Sequence, residues 1–357
     1  MALDLPTSST YERNAAAWQA SRSPQQVEQA RTLRQCAAES RPVLDAGCGP
    51  GFHADALAPG WVGFDASAAM LRLAQDNGHH AVVRADFEAL PFRTTSFGAA
   101  WGRQSYVHVE PPRLPEALAE LHRVLAVGAP IELRLFAGPL GWSSHVDALG
   151  ERWFASWPTE LLRDVVVGAG FDSIEMEEAE ADDAKLTVRA RRARTLADRV
   201  APALRLLICG LNPSEYAADR GVAFARPGNR FWPAACEAGI VRRLRDVDHA
   251  LQACGIGFTD LVKRASIAAA EVTQDEFRAG LARLERICAW LQPQAICVLG
   301  LTGWRAATGR PASAGWQDGQ LGGRPIYLMA NPSGLNAHAN VASLAQSFRE
   351  ATETTRR

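Results

Sequence analysis

Gly210-Leu211-Asn212-Pro213-Ser214, continued from Gly221 to Trp232 by GVAFARPGNRFW, decides how the chain is read. The stretch gathers turn formers and amides directly behind Leu204 to Cys209 (LRLLIC), a short apolar run bounded by Pro202 and Gly210. Such a run predicts a central parallel strand. Asn212 then stands at the carboxyl end of that strand, the place where ligands bind in open α/β sheets.

Downstream, the pattern predicts helices near 231–239 and 243–253, followed by Gly255 to Arg264 (GIGFTDLVKR). A helix over 274–292, a strand over 295–299 with the loop Gly300 to Thr302, and a strand over 325–329 come next. The last strand delivers Ala330-Asn331-Pro332-Ser333-Gly334-Leu335-Asn336, and a helix from 341 to about 353 closes the chain. Two strand ends thus each present an Asn-Pro-Ser loop, and different strands can feed one crevice.

In these residues the chain resembles the mismatch-specific uracil/thymine DNA glycosylases of the uracil-DNA glycosylase superfamily, over about 204–352. GLNPS is similar to their water-positioning motif, GVAFARPGNRFW to their base-pocket segment, GIGFTDLVKR to an internal signature and NPSGLN to their DNA-intercalating loop. The resemblance implies that Asn212 positions the attacking water and that Phe231 stacks on a flipped pyrimidine, with Leu211 and Ser214 lining the loop around it. It implies phosphate contacts from Ser333 and Gly334, a wedge at Leu335, and DNA contacts from Asn331 and Asn336, with Lys263 added as a phosphate ligand. Asn229 and Arg230 are expected to brace the segment. Asn336 and Ala337 replace the polar or basic residues often found after the wedge, which weakens the expectation for reading the opposite guanine.

The chemistry agrees with these residue types. Cleaving a base from deoxyribose passes through an oxocarbenium-like state, so water must be positioned and the departing base stabilised. An amide holds water by hydrogen bonding but cannot take its proton as a carboxylate would. A slow hydrolase is expected, one that relies on flipping bases already loosened by a G·U or G·T mispair.

Upstream, Val43 to Gly51 (VLDAGCGPG) reads as a strand running into a glycine loop, with His53 to Leu57 opening a helix. Glycines let backbone approach a ligand, and amides at a helix start favour polar or anionic groups. Trp61 to Asp65 (WVGFD) ends a second strand in a carboxylate about twenty residues on, the spacing that suits ribose hydroxyls. Val82 to Ala85 is a third strand, followed by DFEALPF from Asp86. Over about 10–193 the chain resembles the class I S-adenosylmethionine-dependent methyltransferases: DAGCGPG, GFDAS and ADFEALPF are similar to their first three motifs. The resemblance implies S-adenosylmethionine as cofactor, with Asp45, Gly47, Gly49 and Gly51 around its methionine end, Asp65 on the ribose, and Asp86 and Phe87 flanking the adenine. Tyr11 resembles the aromatic of a lid helix, and Tyr106 and His108 lie where such enzymes face their acceptor. Gly98 departs from the usual acid after Ser-Phe. No Asn-Pro-Pro-Tyr, Asp-Pro-Pro-Tyr or Pro-Cys loop supports amino- or C5-methylation of bases, so the acceptor stays open.

With 357 residues the chain is long enough for two domains, each with its own core. Its net charge of -1 hides an asymmetry: residues 1–200 carry 20 Lys+Arg against 26 Asp+Glu, and residues 201–357 carry 18 against 13. The excess of five cations on the second half is mild for a polyanion ligand. No apolar run approaches the ~18 residues of a membrane span, and the first residues lack the charge and apolar pattern of a signal peptide, so a cytoplasmic protein is expected. The seven cysteines form no Cys-x-x-Cys pair and read as reduced core residues, with no disulfide, cluster or metal. Arg189 to Ala203 holds five arginines and then an Ala/Pro segment, read as a linker at 195–203.

The expected fold class is α/β: two three-layer α/β/α domains, a Rossmann-like methyltransferase fold over 1–194 and a uracil-DNA-glycosylase-like fold over 204–357. The expected function is a monomeric, bifunctional repair enzyme that releases uracil or thymine mispaired with guanine from double-stranded DNA, the glycosylase needing no cofactor. A methyltransferase brought to nucleic acid by a non-catalytic glycosylase-like module is the alternative, and a degenerate first domain serving only as an interaction platform is a third.

Overall fold

The computed structural model describes residues 5–179, 184–334, 336 and 339–353. The chain divides into two compact units, Met1–Val167 with Phe171–Ala193, and Gly168–Gly170 with Arg194–Arg357.

The first unit is built on β1 (Val43–Ala46), β2 (Trp61–Asp65), β3 (Val82–Arg84), β4 (Ala99–Arg103) and β5 (Pro130–Phe136), all parallel where they pair. A hairpin follows, β6 (Gly141–Asp147) and β7 (Gly150–Ser156), and then β8 (Phe171–Glu178) and β9 (Lys185–Arg192). The main sheet runs β3-β2-β1-β4-β5-β9-β8, with β9 antiparallel to both neighbours. β1 is buried at every residue, as a parallel strand covered on both faces must be. The order turns back between β1 and β4, so a crevice opens beyond their carboxyl ends. The expected strands are present, and the hairpin β6–β7 is an addition to them.

The second unit carries β10 (Leu206–Gly210), β11 (Ile256–Asp260), β12 (Ile296–Leu299), β13 (Gly315–Leu321) and β14 (Arg324–Met329) in the order β11-β10-β12-β14-β13. Only the edge strand β13 runs antiparallel. β10 and β11 are buried throughout. Helices Phe231–Glu237 and Val341–Glu353 share a core with them in which Phe231 meets Phe258 and Phe348 edge-on at 5.8 and 5.4 Å. Helix starts follow local chemistry. Thr273 and Glu276 form a capping box on Gln274–Leu291, and Asp246 caps Val247–Cys254, which ends at Gly255 with φ +66°.

The stretch expected as a linker is built into this second unit. Arg199 forms an antiparallel bridge with Phe258, and Asp198 is 4% exposed, bonded to Thr259 Oγ1 at 2.8 Å and paired with Lys263 and Arg283. A carboxylate held by two cations in the interior cannot belong to a solvated joint. All seven cysteines are free thiols, and no helix among the described residues is long and apolar enough to cross a membrane.

Candidate functional site

Asn212 lies two residues beyond β10, beside the point where the strand order turns back between β10 and β12. Its Nδ2 donates to Ser266 Oγ at 2.8 Å, Arg264 O at 3.2 Å and Pro213 O at 3.3 Å. Ser266 Oγ spends its own proton on Ala268 O, so it accepts from Asn212. Those contacts fix the sense of the amide and leave Oδ1 as its acceptor for a water proton. Segment 264–268, of which only Arg264 belongs to a quoted motif, supplies this bracing; Ser266 N also donates to Pro213 O at 3.1 Å.

All three expected pocket residues have other work. Phe231 is fully buried, with Trp232 5.2 Å away on its edge and Phe224 stacked on its face at 4.3 Å and 20°. It is a core residue, and the ring that reaches the loop is Phe224: half-buried, with Cζ 3.6 Å from where a Cβ on Gly210 would lie. Phe224 also holds φ at +57°, a left-handed conformation costing on the order of 1 kcal/mol for a bulky residue, the kind of strain found at ligand sites. Leu211 turns its side chain onto Gly300 and Gly303, where any added Cβ would meet it at 3.1 and 2.3 Å. Ser214 caps helix Glu215–Arg220 by accepting from Ala217 N at 3.2 Å.

Asp260, which no sequence motif singles out as a site residue, is the last residue of β11 and pairs in register with Gly210. A Cβ on Gly210 would lie 2.3 Å from Asp260 Oδ1 and 3.6 Å from the Phe224 ring, so loop start, carboxylate and aromatic converge on one spot. Asp260 is 8% exposed, and its carboxylate takes no hydrogen bond among the described residues. Burial pushes its pKa up to about 6, against the pull of Lys263 and Arg283. Such a carboxylate can accept a proton near neutrality.

Lys263 is not offered to phosphate. Its side chain is 9% exposed and its ammonium sits 2.7 Å from Asp198 Oδ1, while Arg283 holds the other oxygen at 2.8 Å. Although burial alone would raise it, the two cations hold Asp198 below the usual carboxylate range.

The second Asn-Pro-Ser loop is tied together by Arg230. Its backbone N–H donates to Pro332 O, and its guanidinium to the carbonyls of Ser333, Gly334 and Asn336 at 3.2, 3.4 and 2.9 Å. Asn331 Oδ1 accepts from Ser333 N, and Asn336 Nδ2 donates back to Asn331 O. Gly334 lies against the Gly228 carbonyl, 2.7 Å from where its own Cβ would be, so the GVAFARPGNRFW segment and this loop form one surface. Asn229, expected as a brace, accepts from Phe231 N at 2.9 Å. Leu335, expected as the wedge, lies with Ala337 and His338 outside the described residues.

In the first unit a cavity of about 440 Å3 opens at the ends of β1 and β4, a size that suits a nucleoside-bearing ligand. Asp45, Gly47, Gly49, Asp65 and Phe87 line it; Gly51 and Asp86 do not. Gly51, at φ +81°, packs on His79, and Asp86 closes its own turn by accepting from Glu88 N at 3.1 Å. Gly47, at φ +71°, lies so close to Ser105 that a Cβ would approach Ser105 Cβ to 2.3 Å. Asp65 accepts from Gly49 N at 3.0 Å and Ser67 N at 2.9 Å, which fastens the glycine loop to β2 and leaves lone pairs toward the cavity. Burial pushes Asp45 up to about 7, Trp61 Nε1 donating to it at 3.1 Å. Glycine loop, buried acid and aromatic wall together fit S-adenosylmethionine.

Comparison with known proteins agrees with both halves. Residues 197–355 match the family model described as the uracil DNA glycosylase superfamily, and residues 43–128 match a methyltransferase domain. The chain therefore carries a domain of each kind. Among similar solved structures is a SAM-dependent methyltransferase from Methanosarcina mazei, 20% identical, covering 45% of this chain and 97% of its own, with a TM-score of 0.40. One from Mesorhizobium loti is 21% identical, covering 46% and 100%, at 0.36. The 1,6-didemethyltoxoflavin-N1-methyltransferase of Burkholderia thailandensis is 19% identical, covering 52% and 84%, at 0.40.

Proposed function

We propose that the second unit, built mainly from Arg194–Arg357, hydrolyses the N-glycosidic bond of uracil or thymine mispaired with guanine in duplex DNA. The observation that carries this reading is the locked Asn212 amide, its Oδ1 left to hold water at a strand end where Phe224 and Asp260 converge. Asn212 positions the water, and Asp260 takes the proton as the water attacks the oxocarbenium-like carbon. Phe224 stacks on the flipped base, a contact worth about 1 to 3 kcal/mol. The loop from Asn331 to Asn336, held by Arg230, meets the backbone through the Ser333 hydroxyl and Gly334, with Leu335 filling the vacated stack.

We further propose that the first unit binds S-adenosylmethionine, whose sulfonium supplies an electrophilic methyl group. Asp45 and the Gly47 and Gly49 backbone would hold its methionine end, Asp65 its ribose and Phe87 its adenine. Incubation of the protein with G·U, G·T and A·U duplexes, followed by alkali, tests the glycosylase reading. Strand breaks at G·U exceeding those at A·U support it; intact G·U duplex would leave the second unit a binding module that brings the methyltransferase to nucleic acid.

A further inference from the structure

Part of the first unit's cavity lies away from the glycine loop and has a different chemistry. Tyr11 Oη donates to His108 Nε2 at 2.8 Å, because His108 Nδ1 must carry the proton it gives to Trp153 O at 2.7 Å. The His108 ring lies 4.7 Å from Phe154, and Phe154 5.9 Å from Phe136. Over this aromatic wall stands Arg152, 5% exposed, its guanidinium 5.6 Å from the Phe154 ring and 5.9 Å from Tyr11. Arg152 pairs with Asp147 through Nη2, while its buried Nε has no partner among the described residues. Lys185 adds a second cation to the lining.

The hairpin β6–β7 that brings Arg152 and Phe154 here is pinned to helix Leu5–Ala20. Thr7 Oγ1 accepts from Trp153 N, Thr10 Oγ1 donates to Glu151 O, and Asn14 Nδ2 donates to Leu149 O, all within 2.8 Å. A roof fastened at three points on its neighbour suits a small ligand enclosed by the protein more than a base carried on a duplex.

Resting on the reading of the glycine-loop end as a methyl-donor site, we propose that the methyl acceptor is a small planar aromatic acid: a phenol or heteroaromatic O–H or N–H compound bearing an anionic group. The aromatic plane lies on Phe136 and Phe154 and the anion on Arg152, a buried guanidinium with five donors and one ion pair. The acceptor atom turns its proton to Tyr11 Oη as Tyr11 passes its own to His108 Nε2. A bond forms from that atom to the methyl carbon, and the donor's S–CH3 pair stays on sulfur, leaving a thioether.

The experiment is calorimetric titration of 2-, 3- and 4-hydroxybenzoate, and of the matching hydroxybenzamides, into the full chain saturated with S-adenosylhomocysteine, with methyl transfer to the same compounds and to duplex DNA assayed in parallel. The expected result is that an acid binds about 10-fold or more tightly than its amide, as a charge-assisted hydrogen bond implies. Arg152→Gln removes that preference while leaving S-adenosylhomocysteine binding intact. Tyr11→Phe and His108→Asn lower kcat for the acid with little change in its KM. If S-adenosylhomocysteine does not bind, the donor-site reading falls and the inference with it. If it binds and no acid is preferred over its amide, or the duplex is methylated in place of the acids, the inference alone is overturned.

Discussion

Asp260 occupies the space that a side chain on Gly210 would need, its Oδ1 2.3 Å from the position of a Cβ there. The two residues are register partners on adjacent parallel strands, and the Asn212 loop leaves from one of them. A buried carboxylate with no hydrogen bond is costly to keep ionised, and proteins that retain one commonly use it. Asn212 can hold water but cannot take its proton, so in the proposed function Asn212 positions the water and Asp260 takes the proton.

If Asp260 is the proton acceptor, uracil release from a G·U duplex rises with pH and levels off above about 6, the pKa to which burial pushes this carboxylate. Asp260→Asn lowers the rate roughly 100-fold and flattens the profile. Single-turnover rates between pH 5 and 8 decide this; a profile unchanged by the substitution contradicts it.

The same group makes stability depend on pH. Its folded pKa of about 6 stands above the ordinary value of 3.8, so the folded state prefers the protonated form. The stability this contributes is complete below about pH 4 and lost as pH rises through 6. Asp260→Asn, which never ionises, gains on wild type by up to about 3 kcal/mol between pH 4 and pH 8. Urea midpoints of both proteins at the two pH values measure the difference, and an equal gap at both is the adverse result.

Lys263, buried against Asp198, is expected to support the fold and not to grip DNA. Lys263→Met leaves Asp198 with Arg283 as its remaining cation and costs about 3 kcal/mol of stability. The salt dependence of duplex binding should not move. A log–log slope shallower by about 1 would show that Lys263 meets a phosphate.

In the first unit, burial holds Asp45 up to about 7, and ionisation there favours a cationic ligand. S-adenosylmethionine binding should tighten as pH rises from 6 to 8, and Asp45→Asn should abolish that trend. Calorimetry at both pH values checks it; equal affinities in wild type would remove Asp45 from the methionine end.

Strands such as Val43–Ala46 and Leu206–Gly210 were legible because buried parallel strands are continuous apolar runs closed by glycine. The loops at their ends could be placed for the same reason. Which phenylalanine of GVAFARPGNRFW faces the loop could not be read, since Phe224 and Phe231 are alike in composition and differ in backbone angle and in contacts with Phe258 and Phe348. Asp260 and Lys263 stood in a quoted motif, but Lys263 is committed to Asp198, some sixty residues earlier and placed by sequence in a linker, and the role of Asp260 follows from its burial. The hairpin Gly141–Ser156 escaped notice because five of the seven residues of its first strand are exposed, which leaves no apolar alternation to follow.

The most direct test of the central claim is single-turnover release of uracil from a G·U duplex by wild type, Asn212→Ala and Asn212→Asp. The account predicts that Asn212→Ala loses most of the rate while still binding the duplex, and that Asn212→Asp keeps or raises it, because a carboxylate can both hold and deprotonate the water. Undiminished release by Asn212→Ala, or complete loss in Asn212→Asp, would contradict the assignment of Asn212 as the residue that positions water.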